Sequence, residues 1–341
     1  MHGVRLRFLC IPDVDKPIGG VKQIYRQVEH LQRNHIDAAV VTENPNFRPS
    51  WFQSDAKTVS IEEANALGDF SSVGCILVVP ETYLSVNFSS FRGFNLSYLP
   101  RVVFNQNAYY SFGDISPAST NYLSDFYLSP NVLHTLSISE DTHRFLSVNL
   151  SLPDANISRI VNAIEPIFRP VSNKLNNLHW MPRKNPNHVQ AVLASLNHSP
   201  LINSSGWTGI PLAGVSHTSV ADALNKARIF LSFGHPEGFG LPVAEAMASG
   251  CWVVGYSGLG GNELFRFGGS HQINYGDWTS FVLAIQDVFT MFATRPRETS
   301  LLLDRQSQVV RSLYNNETEE FSILSSWSHI STQYRNWLST Q

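Results

Sequence analysis

Apolar residues along the chain form short continuous runs separated by stretches with helical spacing. In the first half, one stretch has the spacing of a helical face, with apolar side chains at Val21, Ile24, Tyr25, Val28 and Leu31. It predicts a helix over residues 20–34. The short runs predict strands at residues 5–11, 38–42, 75–79, 101–104, 133–137 and 159–161. Strands that alternate with helices indicate parallel βαβ units with right-handed crossovers.

The same alternation begins again after residues 165–177, a polar stretch with two prolines that we interpret as an interdomain linker. Beyond it, strands are predicted at residues 178–181, 229–232 and 252–255, and helices at residues 186–196, 219–227, 241–249, 278–292, 298–314 and 318–337. The pattern predicts an α/β protein with two Rossmann-like domains, at residues 1–165 and 175–317, that face each other across a cleft.

Length and composition agree with a folded protein of two domains. At 341 residues, the chain exceeds the size at which a single hydrophobic core usually suffices. A hydrophobic content of 43% with a charged content of 15% is typical of a globular protein rather than a disordered one. The formal net charge of −3 argues against a nucleic-acid partner, because such a partner requires a basic face.

The cysteines and the length of the apolar runs bear on the compartment. Cys10, Cys75 and Cys251 lie in apolar runs without close spacing, which argues against disulfides and metal sites and for a reducing compartment. No apolar run approaches the ~18 residues of a membrane span. We therefore expect a cytoplasmic protein without a transmembrane segment, and a peripheral membrane contact stays open.

Two glutamates carry the strongest functional signal in the chain. Glu237 is expected on a glycine-bracketed loop at the carboxyl end of the strand at 229–232, and Glu245 about one turn into the next helix. Ligands of α/β folds bind at the carboxyl ends of parallel strands, and a helix N-terminus favours anions. Because the helix around Glu245 is nearly all apolar, its carboxylate needs a partner. Both features predict a ligand site here.

The segment around these glutamates resembles the E-x7-E signature of the family-4 retaining glycosyltransferases, which have the GT-B fold. Its residues are Glu237-Gly238-Phe239-Gly240-Leu241-Pro242 and Glu245-Ala246-Met247-Ala248-Ser249-Gly250. Similar pieces follow the family's order elsewhere, namely Gly19-Gly20-Val21, Asn162 with Phe168-Arg169-Pro170, Arg183-Lys184 and Gly260-Gly261-Asn262-Glu263. The resemblance also implies that a last helix, within residues 318–341, packs back on the first domain.

What the resemblance implies is transfer of a sugar, with retention of configuration, from a UDP- or GDP-linked donor to a glycan or lipid-linked acceptor in polysaccharide biosynthesis. It implies no cofactor and no metal ion. The donor would bind the second domain and the acceptor the first. Arg183, Lys184 and Gly20 would lie at the donor diphosphate, where an arginine can bind two phosphate oxygens at once.

The same resemblance implies the remaining donor contacts. They involve the two glutamates and the loop between them. Glu237 would bind hydroxyl groups of the donor sugar and, as the catalytic residue, stabilise positive charge on the sugar ring. The N–H groups of Phe239, Gly240 and Leu241 would contact the sugar or the phosphate. Glu245 would accept hydrogen bonds from the ribose.

The first domain departs from the family pattern at one place. Where the family often has a histidine, this chain has the segment Phe104-Asn105-Gln106-Asn107. Gln106 and Asn107 are neutral amides that cannot act as bases, so we expect them to orient the acceptor or the transferring sugar. This departure keeps open a catalytically silent GT-B subunit that binds or acts as a scaffold. A GT-B sugar-nucleotide epimerase or phosphorylase is a further alternative.

Overall fold

The chain folds into two compact units. The computed structural model describes residues 3–70, 74–112, 121–198 and 206–341. One unit consists of Met1–Val161 together with Glu319–Gln341, and the other of Asn162–Thr318. Each unit contains one parallel sheet.

The sheet of the first unit has seven strands. They are β1 (Arg5–Leu9), β2 (Ala38–Thr42), β3 (Thr58–Ser60), β4 (Cys75–Pro80), β5 (Arg101–Phe104), β6 (Val132–Ser137) and β7 (Ile157–Arg159). Their order is β3-β2-β1-β4-β5-β6-β7, so the direction of progress across the sheet reverses between β1 and β4. The first four helices belong to this unit: α1 (Gly19–Arg33), α2 (Ile61–Ala66), α3 (Asn121–Tyr127) and α4 (Glu140–Asn149).

The sheet of the second unit has five strands. They are β8 (Leu175–Trp180), β9 (Thr208–Pro211), β10 (Ala227–Ser232), β11 (Trp252–Gly255) and β12 (Ser270–Gln272). Their order is β12-β11-β10-β8-β9, with the reversal between β8 and β10. The helices are α5 (Pro186–Asn197), α6 (His217–Lys226), α7 (Leu241–Ala248), α8 (Trp278–Thr294) and α9 (Pro296–Leu313). A further helix, α10 (Asn316–Leu338), begins here and continues in the first unit.

Continuous apolar runs form the central strands because these strands are covered on both faces. Every residue of β2 and of β4 is buried, which is typical of a parallel sheet between layers of helices. Leu77 and Val103 belong to the core of the first unit, and Val254 and Phe281 to that of the second.

Both a buried ion pair and aromatic packing hold α10 to the first unit. The Glu319 carboxylate, 1% exposed, lies 2.5 Å from Arg26 Nη2 and 2.8 Å from His30 Nε2. Further along the helix, the Trp327 ring packs on Phe8 with 6.1 Å between ring centroids. Removing one partner of such a buried pair is strongly destabilising, so α10 is an integral part of this unit.

Residues 165–177, which we interpreted as a linker, are built into the second unit instead. The Arg169 N–H donates to Asn225 Oδ1 at 2.9 Å. Lys174 Nζ donates to the carbonyl oxygens of Asn225, Ala227 and Ser249 at 3.2, 2.7 and 2.7 Å. Because these carbonyls lie at the C-terminal ends of α6 and α7, the ammonium group caps two helices at once.

None of the helices in the described ranges combines the length and the apolar character needed to cross a membrane. All three cysteines are free thiols.

Candidate active site

The structure brings two predicted site segments together where the strand order of the second sheet reverses. Arg183 and Lys184 follow β8, and Glu237 follows β10, its neighbour in the sheet. A reversal of this kind leaves a crevice outside the carboxyl ends of the two strands, because the adjoining connections run to opposite faces. The second unit therefore presents these three charged residues where α/β sheets bind ligands.

The loop that carries Glu237 lies directly against the backbone of the loop after β11. The Glu237 N–H donates to the Gly258 carbonyl oxygen at 2.8 Å, and the Gly260 N–H donates to the Glu237 carbonyl oxygen at 3.2 Å. A Cβ at Gly258 would lie 2.6 Å from the Glu237 Cβ, and one at Gly260 would lie 2.1 Å from the Gly238 carbonyl oxygen. Only glycine permits this approach, so the surrounding glycines determine where Glu237 lies.

Glu237 forms an ion pair with Lys184. Lys184 Nζ lies 2.8 Å from Glu237 Oε1, and it also donates to the Pro236 carbonyl oxygen at 3.0 Å. The exposed fractions of the two side chains are 21% for Lys184 and 25% for Glu237, so the pair borders solvent. The ammonium group that we predicted at the diphosphate is thus also the partner of the predicted catalytic carboxylate.

Arg183 differs from its neighbour in having its guanidinium group unoccupied. Its side chain is exposed and makes no hydrogen bond or ion pair with the other residues that the structure describes. A free guanidinium group beside a sheet crevice can bind two oxygens of one anion.

Backbone donors are available at the N-terminus of α7, beside Glu237. Gly240, the N-cap residue, has left-handed angles of φ 90° and ψ 52°, and Leu241 begins the helix. This succession of conformations turns neighbouring N–H groups toward one concave surface, which suits an anion. No hydrogen bond within the described part of the chain uses the N–H groups of Phe239, Gly240 or Leu241.

The Phe239 side chain itself has a structural role. It is 2% exposed and packs on the Tyr314 ring at 5.1 Å between centroids. The Tyr314 hydroxyl donates to Glu263 Oε1 at 2.8 Å, and Glu263 is itself buried. Of Phe239, only the backbone is therefore available to a ligand.

Glu245 lies one turn into α7 and is partly buried. Its neighbours Ala244 and Ala246 are fully buried, as the apolar sequence of this helix predicts. Glu245 is therefore less buried than the residues on either side of it in the helix.

Two side chains next to the site, Asn185 and Tyr275, hold the loop that leads to Glu237. Asn185 Nδ2 donates to the carbonyl oxygens of Phe233 and His235 at 2.7 and 3.3 Å, and its Oδ1 accepts from the Tyr275 hydroxyl at 3.1 Å. The Tyr275 ring stacks on His235 with 4.2 Å between centroids. Burial, followed by the charge of Lys184, lowers the pKa of His235, which favours the neutral imidazole in this stack.

The first unit brings Gly20 and Gln106 together at the carboxyl edge of its own sheet. Gly20 lies in the first turn of α1, and a Cβ there would lie 3.1 Å from Gln106 Oε1. The Asn107 side chain is buried, at 4% exposure, and its Oδ1 already accepts the Tyr109 N–H at 3.2 Å. Of the two amides predicted to orient a ligand, Gln106 is the one with an available side chain.

A buried glutamate that the sequence analysis missed lies behind Gln106. Glu81 begins a 3-10 turn (Glu81–Tyr83) directly after β4 and is 3% exposed. Its Oε2 accepts the Gln106 N–H at 2.9 Å. Desolvation raises the pKa of Glu81 to about 7, and backbone hydrogen bonds, first that from Gln106, oppose this rise. The sequence does carry a signal, an acidic residue immediately after an apolar strand.

Comparison with known proteins finds similarity to glycosyltransferases. Residues 211–294, which include Glu237 and Glu245, match the family model described as glycosyl transferases group 1. An alpha-1,6-glucosyltransferase of Actinobacillus pleuropneumoniae serotype 7 (strain AP76) is 24% identical over 227 residues, covering 62% of this chain and 62% of that protein. An MMP alpha-(1->4)-mannosyltransferase of Mycolicibacterium hassiacum is 25% identical over 149 residues, covering 41% of this chain and 34% of that protein. The chain therefore spans less than two thirds of the length of either relative.

Among solved structures, Anabaena HepE in complex with UDP-glucose matches with a TM-score of 0.67 at 13% identity, over 95% of this chain and 99% of that chain. This likeness shows the fold, and the predicted GT-B architecture of two parallel-sheet α/β domains is confirmed. The match of residues 211–294, together with the two relatives, supports a glycosyltransferase family for this chain.

Proposed function

We propose that this protein is a retaining glycosyltransferase that moves a sugar from a UDP- or GDP-linked donor to a glycan or lipid-linked acceptor in polysaccharide biosynthesis. The observation that carries the proposal is the 2.8 Å ion pair of Lys184 with Glu237, next to the free N–H groups that precede α7. Glu237 and α7 lie within the stretch that matches glycosyl transferases group 1.

The charges of the second unit suit a nucleoside diphosphate sugar. Negative charge grows on the diphosphate as its bond to the sugar breaks, so cations and N–H donors stabilise the transition state. Arg183 and the N–H groups of Gly240 and Leu241 supply such donors. A carboxylate beside them, Glu237, suits the hydroxyl groups and the developing positive charge of the sugar. In this proposal the acceptor binds the first unit.

In the proposed step, the acceptor hydroxyl oxygen bonds to the anomeric carbon on the face from which the diphosphate leaves, so the configuration is retained. The bond between that carbon and the diphosphate oxygen breaks, and the acceptor proton passes to the departing oxygen. Glu245 holds the ribose. The proposal includes no metal ion.

Binding and turnover of nucleotide sugars test this proposal. Thermal unfolding with UDP, GDP and a panel of their sugars identifies the donor, because a ligand present at 100 times its Kd stabilises the native state by about 2.7 kcal/mol. The selected donor is then incubated with candidate glycans, and released nucleotide and the anomeric configuration of the product are measured. A protein that no nucleotide or nucleotide sugar stabilises, and that releases none, would contradict the proposal.

A catalytically silent GT-B subunit is the second candidate. It is favoured by the commitment of the Asn107 amide to Tyr109, which leaves Gln106, a neutral side chain, at the corresponding edge of the first sheet. A silent subunit would be stabilised by a nucleotide without consuming its sugar. An epimerase or phosphorylase would convert the donor without forming a product that depends on the acceptor.

A further inference from the structure

We propose that Glu81 is a positioning residue, whose carboxylate holds the loop after β5 so that Gln106 lies over Gly20 at the carboxyl edge of the first sheet. The inference deepens the proposed function, on which it rests for the role of Gln106 toward the acceptor or the sugar. Glu81 itself is buried, so in this proposal it acts through Gln106 and not by contact with a substrate.

The place of Glu81 in the sheet is the first support. The strand order of the first sheet reverses between β1 and β4, and Glu81 is the residue that follows β4. Glu237 has the corresponding place in the second unit, after the strand on one side of the reversal there. Ligand-binding loops of α/β sheets converge at such reversals.

The burial of Glu81 without a cation is the second support. Carboxylates are almost never fully buried unless they are paired. The Glu81 carboxylate accepts the Gln106 N–H at 2.9 Å, and the backbone N–H groups of Asn107 and of Glu81 itself help to oppose the rise of its pKa. No cationic side chain in the described part of the chain offsets its charge. Such an arrangement costs stability, and a costly buried charge is more often retained at a functional site.

One short turn fixes both loops of this edge. From the same 3-10 turn, the Tyr83 hydroxyl donates to the Ile11 carbonyl oxygen and accepts the Ile11 N–H, both at 2.6 Å. Ile11 begins the loop that leads to Gly20, and Glu81 holds the loop that carries Gln106. The contact between Gly20 and Gln106 therefore depends on two neighbouring side chains of one turn.

The surroundings of Glu81 are neutral, so its own charge decides how firmly the loop is held. Asn105 Nδ2 donates to the Tyr127 hydroxyl at 2.7 Å and to Ser111 Oγ at 3.3 Å. Tyr127, the titratable residue that faces Glu81 from α3, has its pKa raised first by desolvation and stays neutral. As a carboxylate, Glu81 makes charge-assisted bonds to the loop, and as a carboxylic acid it makes weaker ones.

The variant Glu81→Gln removes this charge and keeps the shape of the side chain. We expect the amides of Gln106 and Asn107 to exchange with deuterium about tenfold faster above neutral pH, as measured by mass spectrometry of peptides from the loop. The matched control is Glu63→Gln, because Glu63 likewise accepts a backbone N–H, that of Ser60 at 2.7 Å, in the capping box of α2. It should leave exchange in the loop unchanged.

The pH profile of transfer is the second measurement. In the wild type, kcat/KM should rise as Glu81 ionises around pH 7. In Glu81→Gln this rise should vanish, and kcat/KM above neutral pH should be about tenfold lower. Unchanged exchange together with an unchanged pH profile, or the same changes in Glu63→Gln, would overturn the role of Glu81.

Two further outcomes distinguish a failure of the proposed function from a failure of the role of Glu81. If the wild type shows no transfer, the proposed function fails, and the exchange of the loop amides still decides the role of Glu81. If Glu81→Gln does not fold, exchange in the wild type at pH values on either side of the ionisation replaces it. After correction for intrinsic exchange, protection of the Gln106 amide must rise as Glu81 ionises, and constant protection overturns the inference.

Discussion

Each sheet reverses its strand order beside a glutamate, and the two glutamates are held in opposite ways. In the second unit, the Glu237 side chain is a quarter exposed and is paired with the ammonium group of Lys184. In the first unit, Glu81 is buried and accepts the backbone N–H of Gln106. A solvent-bordered ion pair exchanges one partner for a ligand at little cost, whereas a buried carboxylate that leaves its donors is left unsatisfied. The contrast assigns ligand contact to Glu237 and loop geometry to Glu81.

Replacing Glu237 tests the first half of this contrast and has the largest expected effect. We expect Glu237→Ala to lower kcat for sugar transfer by roughly a hundred- to a thousandfold, because the charge on the sugar ring loses its stabilising carboxylate. The free energy of unfolding should change by less than about 1 kcal/mol, since the lost ion pair borders solvent. Asp222→Ala, which removes an exposed carboxylate paired with Lys226, serves as the control and should leave transfer unchanged. Equal rates in both variants would refute a catalytic Glu237.

The second half of the contrast predicts a pH-dependent stability. Burial raises the pKa of Glu81 from 4.5 to about 7 in the folded chain. Between these values the unfolded chain binds fewer protons than the folded one, so the free energy of unfolding falls as the pH rises toward 7. The shift corresponds to on the order of 3 kcal/mol. Relative to the wild type, the global free energy of unfolding of Glu81→Gln should therefore rise by about this much between about pH 4.5 and about pH 8, whereas the faster exchange of its loop amides reports local openings that leave residue 81 buried. Denaturant titrations at both pH values measure it, and a constant difference would contradict the burial of a charge.

Replacing Gly258, which packs against Glu237, sharpens the contrast. At this position the close approach of the backbone, not a charged partner, determines where the Glu237 carboxylate lies. Gly258 has φ +68°, and an alanine Cβ would lie 2.6 Å from the Glu237 Cβ. Gly206 has φ +67°, and no atom of the residues that the structure describes lies within 4 Å of such a Cβ, so it is a matched control. We expect the free energy of unfolding to fall by about 1 kcal/mol in Gly206→Ala and by roughly 2–3 kcal/mol in Gly258→Ala. Transfer should fall only in Gly258→Ala, and equal activity in the two would show that Glu237 does not depend on this contact.

The smallest effect is expected at Arg183. Because its guanidinium group is exposed and free of other described residues, Arg183→Lys should leave the free energy of unfolding within about 0.5 kcal/mol of the wild type. The KM for the donor should rise roughly tenfold, since lysine cannot bind two phosphate oxygens at once. Arg297→Lys, at an exposed position of α9, is the control. An unchanged KM would remove Arg183 from the diphosphate site.

The elements that could be predicted from the sequence are those whose buried residues form a continuous apolar run. β11 has the predicted bounds, Trp252–Gly255, and every residue in it is buried. β9 was missed because all residues of Thr208–Pro211 are exposed and the run has no apolar signal. α4 was missed because Thr142 and Leu146 are its only buried residues, too few to reveal a helical period. β7 (Ile157–Arg159) begins two residues before the predicted strand at 159–161 and shares only Arg159 with it.

The same distinction holds in the site. Some of its residues could be found from the local sequence, whereas contacts between them depend on which strands pair in the fold. Glu237 could be found because glycines bracket it directly after an apolar strand. Its pairing with Lys184 could not, because that contact requires β8 and β10 to be neighbours in the sheet. Glu81 accepts the Gln106 N–H only when β4 and β5 are paired in the sheet. The residues next to Glu81 in the sequence therefore could not predict its partner.

The return of α10 to the first unit has a consequence for synthesis. The second unit, Asn162–Thr318, is one continuous segment, whereas the first is completed only by Glu319–Gln341. During translation, Phe8 and Arg26 emerge early but lack Trp327 and Glu319 until the whole second unit has left the ribosome. The unit that is made first is therefore the one that finishes folding last, and a chain that stops at Thr318 would contain an intact second unit beside an incomplete first.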